Sequence, residues 1–528
     1  MKNNKLLLAL LIIPALSACD IFSPHKDKSN SYSDNTSITS ISETSTDITS
    51  EDINSNSDNS GQSSESSNDQ QEEYPTYPVT VEENPEVIWD DSQKSQRTGN
   101  KVIDFYNIND IHGIVDESGN YAGIAKISSF LKESKQANKE GYVFTSSGDT
   151  WQGSADSNLT YGGIMNSWLE YNDCSAMALG NHEFDWTIDV LRENDKKTKF
   201  PLLACNIIHS DTYQPVNWAR PYTTITRNGL NIGIIGAIGE GITKSILASN
   251  VKGLTFDNPL KYVKTWSNYL KERGADVILF LYHGSTEELN EQYSPYVDGI
   301  FGGHNHRIEE NEYDGIPALE GACYGQAVAH ISLTYDYSLN KVTSRSGEII
   351  RSNTLTSYSK DTGTLELIES FQDIIEEIKN EKIAHIDYSI SGNELITLAE
   401  KYMYRFFDEY TNSSVKLYSV RHNQARQSLN AGDITYGDVY AAFPFDNQLV
   451  LTTCNYLNVN EYSYTSYYPN GEDASILKDE NNNVYILTID YLSQHQSYGQ
   501  YLTEVEVYAG IFVRDLFKKY MKDDYPLH

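Results

Sequence analysis

The feature that most constrains the fold is an alternation of strand-like and helical runs in the first ordered part of the chain. Six short apolar runs predict strands at 102–108, 142–145, 176–179, 231–237, 276–281 and 299–301. Helical patterns fall between several of them, at 122–132, 163–171 and 258–271. Such alternation is typical of an α/β domain, in which functional side chains collect on loops at the carboxyl ends of the strands.

A short polar segment follows five of these strand-like runs, and each segment contains Asp, Asn or His. The segments are Asn109-Asp110-Ile111-His112-Gly113, Gly148-Asp149, Gly180-Asn181-His182-Glu183-Phe184-Asp185, Tyr282-His283-Gly284 and Gly302-Gly303-His304-Asn305-His306. One such segment alone is more often a turn or a helix cap. Hard divalent ions take oxygen ligands and imidazole also suits Zn, Fe and Ni, so five segments together predict a site for metal ions. Two-metal hydrolases hold their ions roughly 3.5–4 Å apart, which calls for a bridging carboxylate.

These segments resemble those of the calcineurin-like metallophosphoesterase superfamily, and the first and third resemble its 5′-nucleotidase branch, which includes the periplasmic UDP-sugar hydrolases. The resemblance implies an α/β (α+β) protein with an N-terminal four-layer α/β/β/α domain and a C-terminal α+β substrate domain. It implies two divalent metal ions, whose identity among Mn, Zn, Co, Mg and Fe stays open. One ion would be held by Asp110, His112, Asp149 and His306, and the other by Asp149, Asn181, His283 and His304.

The resemblance also implies a catalytic pair, His182 and Asp185. The acid would orient the imidazole, and the imidazolium would stabilise the phosphoryl oxygens or protonate the leaving group. Glu183 is expected to support the loop without a chemical role. The periplasmic enzymes often carry glutamine where this chain has His306, while many relatives have histidine. A water activated by the two ions would attack the phosphate ester.

A second set of segments predicts where the substrate binds. Residues 420–447 resemble the C-terminal signature of the 5′-nucleotidases, an Asn-x-Gly-Gly-Ile-Arg element followed by Ile-Thr and Pro-Phe-x-Asn, although Asn423-Gln424 replaces the glycine pair. The resemblance implies that Arg426 contacts phosphate, that Phe445 and Tyr491 stack on a base, and that Asn447 contacts the base or ribose. The alternative is that the two rings are ordinary core residues.

The beginning of the chain resembles a bacterial lipoprotein signal. Lys2 and Lys5 precede an apolar run, and Leu16-Ser17-Ala18-Cys19 resembles a lipobox, which would make Cys19 the lipidated first residue. An ordinary signal peptide is the alternative. The following stretch is rich in Ser, Asn, Asp and Thr, which predicts a disordered tether. Together these features predict a protein that is anchored by lipid to the extracellular face of the cell membrane.

The predicted organisation has five parts. They are a signal peptide (1–18), a tether (19–98), a metallophosphoesterase domain (99–355), a linker helix (356–383) and a substrate-binding domain (384–528). Within the last domain, strand-like runs occur at 415–420, 449–452 and 484–487.

The formal net charge of −34 narrows the choice of partners. A chain this acidic is not expected to bind a nucleic-acid polymer, and an acidic enzyme for phosphate esters needs local positive charge, which bound divalent metals would supply. We therefore predict a monomeric phosphoesterase of 5′-nucleotidase type. The alternatives are hydrolysis of 2′,3′-cyclic nucleotides or UDP-sugars, a thiosulfohydrolase-like activity, and a surface binding protein without turnover.

Overall fold

The computed structural model of the chain describes residues 86–410, 415–461, 467–469, 477–495 and 499–527. The predicted signal peptide, Cys19 and most of the predicted tether lie outside the described residues. Among the described helices, none combines the length and the apolar character needed to cross a membrane.

The first domain is built from strands that form two six-stranded sheets and one small pair. The strands are β1 (Asn100–Ile108), β2 (Tyr142–Ser146), β3 (Cys174–Ala178), β4 (Leu202–Leu203), β5 (Ile207–His209), β6 (Tyr222–Arg227), β7 (Leu230–Ile238), β8 (Leu254–Phe256), β9 (Val277–His283), β10 (Gly299–Phe301), β11 (Ile308–Tyr313), β12 (Ile316–Gly321), β13 (Ala327–Asp336) and β14 (Lys341–Arg351). The first sheet has the order β14-β13-β1-β2-β3-β4, and the second has the order β11-β12-β10-β9-β7-β6. The two short strands β5 and β8 pair with each other.

The α-helices that accompany these sheets are α1 (Ile124–Ala137), α2 (Ala155–Asn158), α3 (Gly163–Tyr171), α4 (Thr187–Lys197), α5 (Pro259–Glu272) and α6 (Ser352–Leu355). The core between the sheets contains Phe105 of β1 and Leu279 of β9. On the outer sides, Trp168 of α3 packs in the core of the first sheet and Trp266 of α5 in that of the second. The predicted α/β/β/α layering is therefore confirmed.

The six predicted strands of this domain are all present, with ends that differ by two residues or fewer. The strands β1, β2 and β3 run parallel to one another in one sheet, and β7, β9 and β10 run parallel to one another in the other. Polar loops at the carboxyl ends of both sheets can therefore meet at one edge of the domain.

The remainder of the chain forms a linker helix and a second domain. Its elements are α7 (Thr362–Lys379), β15 (Lys382–Ile386), α8 (Gly392–Tyr410), β16 (Leu417–Val420), β17 (Gly432–Thr435), α9 (Tyr436–Ala442), β18 (Gln448–Asn455), β19 (Asn483–Ile489), α10 (Asp490–Gln494), β20 (Leu502–Phe512) and α11 (Val513–Asp524). Four strands form a sheet in the order β16-β19-β18-β20, and β15 pairs with β17. The three strands predicted for this domain correspond to β16, β18 and β19.

The linker helix α7 is held by the first domain. Leu367, Ile368 and Phe371 pack against the core that covers the first sheet. At the far end of the helix, the Lys379 ammonium lies 2.6 Å from Asp156 Oδ2 in α2. The chain therefore enters the second domain after Lys379.

The end of the predicted tether also contacts the first domain. The Asp90 amide donates to Thr226 Oγ1 at 2.9 Å, and the Trp89 indole donates to the Arg273 carbonyl at 2.8 Å. These contacts place residues 88–97 against the second sheet. The composition of residues 88–97 is mostly polar, so it does not indicate these contacts.

Candidate metal centre

The seven candidate metal ligands converge at the carboxyl ends of strands from both sheets. They follow or end β1 (Asp110, His112), β2 (Asp149), β3 (Asn181), β9 (His283) and β10 (His304, His306). All except the two last histidines are buried, and those two are half-buried. The structure therefore brings together, on one edge of the domain, side chains that are up to 196 positions apart in sequence.

The ligand atoms form three overlapping groups, in each of which they lie within 4.8 Å of one another. The groups are Asp110 with His112 and His306, His112 with Asp149 and His182, and Asp149 with His283 and His304. Asp149 Oδ1 lies 3.4 Å from His283 Nε2, whereas Asp149 Oδ2 lies 3.9 Å from His112 Nε2. The two oxygens of one carboxylate thus face two different groups, as a bridge between two ions requires.

The hydrogen bonding of the first group indicates that it fits a metal ion. Asp110 Oδ1 is buried and has no hydrogen-bond partner among the described residues. It lies 3.6 Å from His306 Nε2, which is itself 3.0 Å from His112 Nε2. A buried acceptor without a donor is costly, and two facing imidazole nitrogens can share only one proton. A divalent cation would satisfy all three atoms.

The asparagine completes the third group. Asn181 Oδ1 lies 2.9 Å from His304 Nδ1 and 3.1 Å from His283 Nε2. An amide oxygen between two ring nitrogens is a donor set of mixed oxygen and nitrogen, which suits ions such as Mn²⁺, Fe²⁺ and Zn²⁺.

The electrostatics of the site also favour a cation. Burial raises the pKa of Asp110 to about 7. Burial lowers the pKa values of His304 and His306 to about 4, so both rings are neutral, which is the form that binds metal. For His283, burial lowers the pKa, but the Asp149 carboxylate outweighs it and raises the pKa to about 10. The site therefore draws positive charge towards its carboxylates.

Two histidines are oriented by backbone carbonyls. His112 Nδ1 donates to the Gln152 carbonyl at 2.9 Å, and His283 Nδ1 donates to the Ser147 carbonyl at 2.8 Å. A carbonyl can only accept, so Nδ1 of each ring carries a proton, and in the neutral form that binds metal the lone pair of Nε2 faces the ligand groups.

Backbone strain is concentrated at the same residues. Five of the seven candidate ligands have positive φ angles, at 49°, 50°, 51°, 83° and 63°: Asp110, His112, Asp149, His304 and His306. Non-glycine residues in this region cost of order 1 kcal/mol or more each, and they cluster at functional sites. The loops are also closely packed, since a Cβ on Gly180 would lie 2.3 Å from Asp149 Oδ1.

The predicted pair of His182 and Asp185 is assembled beside the ligand groups. His182 Nδ1 lies 2.8 Å from Asp185 Oδ2, and His182 Nε2 lies 3.2 Å from Arg426 Nη2. Burial lowers the pKa of His182, but the carboxylates of Asp185 and Asp149 outweigh it and raise the pKa above its usual value. The imidazole and the guanidinium face the same point, where an anion would find two donors.

Glu183 has the supporting contacts that the sequence predicts. Its buried carboxylate accepts hydrogen bonds from the backbone amides of Asp149 at 2.8 Å, Thr150 at 2.8 Å and Gly180 at 2.7 Å. One side chain thus fastens the loop after β2 to the loop after β3.

A cavity of about 500 Å³ lies between this centre and the second domain. The second domain contributes all four predicted substrate residues to its wall: Arg426, Phe445, Asn447 and Tyr491. The Phe445 ring centroid is 5.4 Å from that of His182, with 29° between the ring planes. Phe445 and Tyr491 are half-buried and line the cavity, so neither ring is an ordinary core residue.

The cavity wall includes residues that sequence reasoning missed, among them Gln152, Trp186 and Tyr324. The Tyr324 hydroxyl accepts a hydrogen bond from Arg426 Nη1 at 3.1 Å, and its ring centroid lies 5.4 Å from that of His112. Trp186 comes directly after Asp185 in the sequence, so its position near the site could have been predicted. Tyr324 follows β12 in a segment without any motif, so nothing in the sequence marks it.

Comparison with known proteins identifies the class. Residues 103–307 match the family described as calcineurin-like phosphoesterase, and this match indicates that the chain is a metal-dependent phosphoester hydrolase. The ligand groups fit the two divalent ions that such a centre uses.

The relatives place it as a metallophosphoesterase of 5′-nucleotidase and apyrase type. An apyrase from Aedes albopictus is 25% identical over 413 residues, which cover 68% of this chain and 72% of the apyrase. The endonuclease YhcR from Bacillus subtilis is 23% identical over 381 residues, covering 65% of this chain and 31% of YhcR. A solved 5′-nucleotidase precursor from Thermus thermophilus shares the fold, with a TM-score of 0.63 at 17% identity over 81% of this chain and 97% of that chain.

Proposed function

We propose that the protein hydrolyses nucleotide phosphate esters outside the cell, releasing phosphate and a nucleoside. The observation that carries this proposal is the cavity that joins the ligand groups and His182 on one wall to Arg426, Phe445 and Tyr491 on the other. If the phosphate of a substrate is bound at the metal centre, the rest of the substrate lies in the same cavity as two aromatic rings of the second domain. The names of the apyrase and 5′-nucleotidase relatives support a nucleotide substrate.

The ligand assignment follows the three groups. Asp110, His112, Asp149 and His306 would hold one ion and Asp149, Asn181, His283 and His304 the other. When bound, the two cations supply positive charge at the phosphoryl group and activate the attacking water. The Arg426 guanidinium would hold a phosphoryl oxygen.

His182 is the proposed catalytic residue, and Asp185 fixes its orientation through Nδ1. Its Nε2 faces the cavity, where it would stabilise a phosphoryl oxygen or give a proton to the departing alkoxide. Because the ring is also within 3.9 Å of Asp149 Oδ2, metal content has to be measured in any His182 variant.

The location is proposed from the sequence alone. The lipobox-like site before Cys19 and the polar stretch behind it support a lipid anchor with a tether, on the extracellular face of the membrane. The charge of −34 argues against a nucleic-acid polymer as a partner, and we propose a monomer.

The test of this function is a substrate panel under controlled metal loading. We expect EDTA-treated protein to be inactive and added Mn²⁺, Co²⁺, Zn²⁺ or Mg²⁺ to restore hydrolysis of AMP, measured as released phosphate. 2′,3′-Cyclic AMP, UDP-glucose and p-nitrophenyl phosphate complete the panel and define the ester class. If every substrate stays intact with every metal, the proposal is wrong.

Replacing Phe445 by alanine tests the nucleotide assignment. Stacking of a base on an aromatic ring contributes about 1–3 kcal/mol, so we expect kcat/KM for AMP to fall by about 5- to 150-fold in Phe445→Ala. p-Nitrophenyl phosphate has no base, and its kcat/KM should change by less than about threefold. Tyr213→Ala, which removes a ring that is 75% exposed, is the matched control. Equal losses for both substrates would show that Phe445 supports His182 instead of binding the base.

A further inference from the structure

Glu309 is a buried carboxylate that sequence reasoning did not single out. It lies in β11, is 4% exposed, and is absent from the described wall of the cavity. Its oxygens accept hydrogen bonds from Ser285 Oγ at 2.7 Å, from the Thr286 amide at 2.7 Å and from Thr286 Oγ1 at 2.6 Å, and a further one from the Asn305 side-chain amide. A buried acid with so many donors is held in one position.

The donors come from the two loops that carry the candidate ligands of the second sheet. Ser285 and Thr286 follow His283 closely, at the end of β9. Asn305 lies between His304 and His306, after β10. One carboxylate therefore connects both loops within a few residues of the ligands.

The strained backbone needs such a connection. His304 and His306, on either side of Asn305, have φ angles of 83° and 63°. Residues in this conformation persist only where the surroundings determine it, and the contact from Asn305 to Glu309 is a hydrogen bond inside the strained segment itself.

Glu183 makes the same kind of connection in the first sheet. It receives amides from the loop after β2 and from the loop after β3, as Glu309 receives donors from the loops after β9 and β10. One buried glutamate thus fastens the loops after β2 and β3 in the first sheet, and another fastens the loops after β9 and β10 in the second.

We propose that Glu309 is a positioning residue of the metal centre, which sets the spacing between the loop of His283 and the loop of His304 and His306. This inference rests on the metal centre in the proposed function. Partners outside the ligand set typically affect metal affinity by about 10- to 100-fold, and Glu309 acts on three of the seven ligands at once.

The test is a calorimetric titration of EDTA-stripped, dialysed protein with Mn²⁺. We expect Glu309→Gln to weaken one of the two Mn²⁺ sites by about 10- to 100-fold. The NH₂ group of the new glutamine is itself a donor, so it cannot accept the hydrogen bonds that the carboxylate oxygen accepts. The matched control is Glu310→Gln, which changes the neighbouring residue of β11, whose half-exposed side chain pairs with Arg351 at 2.6 Å. Its affinities should equal those of the wild type.

A second variant keeps the proposal testable if Glu309→Gln does not fold. Asn305→Ala removes the donor to Glu309, together with the acceptor for the Arg307 amide at 3.0 Å. It should weaken the same site while the metal-free melting temperature stays close to that of the wild type. In both variants, saturating Mn²⁺ should restore kcat for AMP to within about threefold, which a general loss of folding would not allow.

The outcomes separate the two proposals. Unchanged Mn²⁺ affinities in folded Glu309→Gln and Asn305→Ala, beside a wild type that binds two ions, would overturn this inference alone. A wild type that binds fewer than two Mn²⁺ ions would overturn the metal centre and this inference together.

Discussion

Asp149→Asn is expected to lower kcat/KM by at least about 100-fold for every substrate that the protein hydrolyses. Asp149 belongs to two of the three ligand groups, and its two oxygens face different groups. Since even partners outside the ligand set cost about 10- to 100-fold in metal affinity, loss of the shared ligand should exceed that range. The measurement combines phosphate release from AMP with the Mn²⁺ stoichiometry, which should fall below two.

The amide preserves the shape of the side chain, so the effect reports on charge and ligation. Asp189→Asn, at an exposed acid in α4, is the control and should keep wild-type activity and both ions. Full activity in Asp149→Asn would contradict the two-metal assignment, because no other described carboxylate is shared between the groups.

His182→Gln is expected to lower kcat for AMP by about 10²- to 10⁴-fold while two Mn²⁺ ions remain bound. That range is typical for the loss of a general acid or base, and His182 has the position and the orienting carboxylate for this role. His209→Gln, in the small strand β5, is the control and should leave kcat unchanged.

The choice of substrate separates the two roles proposed for His182. p-Nitrophenolate departs without a proton, so a smaller loss with p-nitrophenyl phosphate than with AMP would assign proton donation. Equal losses would assign stabilisation of the phosphoryl oxygens. If the variant instead binds one ion fewer, His182 is a ligand in the group with His112 and Asp149, and its catalytic assignment is wrong.

The strands that carry the site are predictable because they are buried on both faces. β7 and β9 are predominantly apolar and every residue in them is buried, which is typical of parallel strands in a layered α/β fold. β11 and β14 are polar and contain a single buried residue between them, and they pair with β12 and β13. Their apolar content is too low to mark them as strands in the sequence.

The same physics explains which site residues the sequence reveals. The candidate ligands lie in compact segments directly after predictable strands, so their types and order could be recognised. Glu309 is placed by the antiparallel pairing of β11 with β12, and Tyr324 by the turn after β12, where its amide donates to the Asp110 carbonyl at 2.8 Å. The sequence indicates neither of these placements. From their composition, residues 88–97 are assigned to the tether. Their contacts with the first domain cannot be recognised in the sequence, because the partner residues are more than 100 positions away.

The positive φ angles of five candidate ligands have a consequence for assembly. The packing of two large sheets determines these conformations. The arrangement of the candidate ligands therefore results from protein folding, and the ions need not impose it. Chelation should then remove the cations without unfolding the chain, and reloading should require no search through backbone conformations. An enzyme of this design can lose and regain its ions as their supply in the surroundings changes.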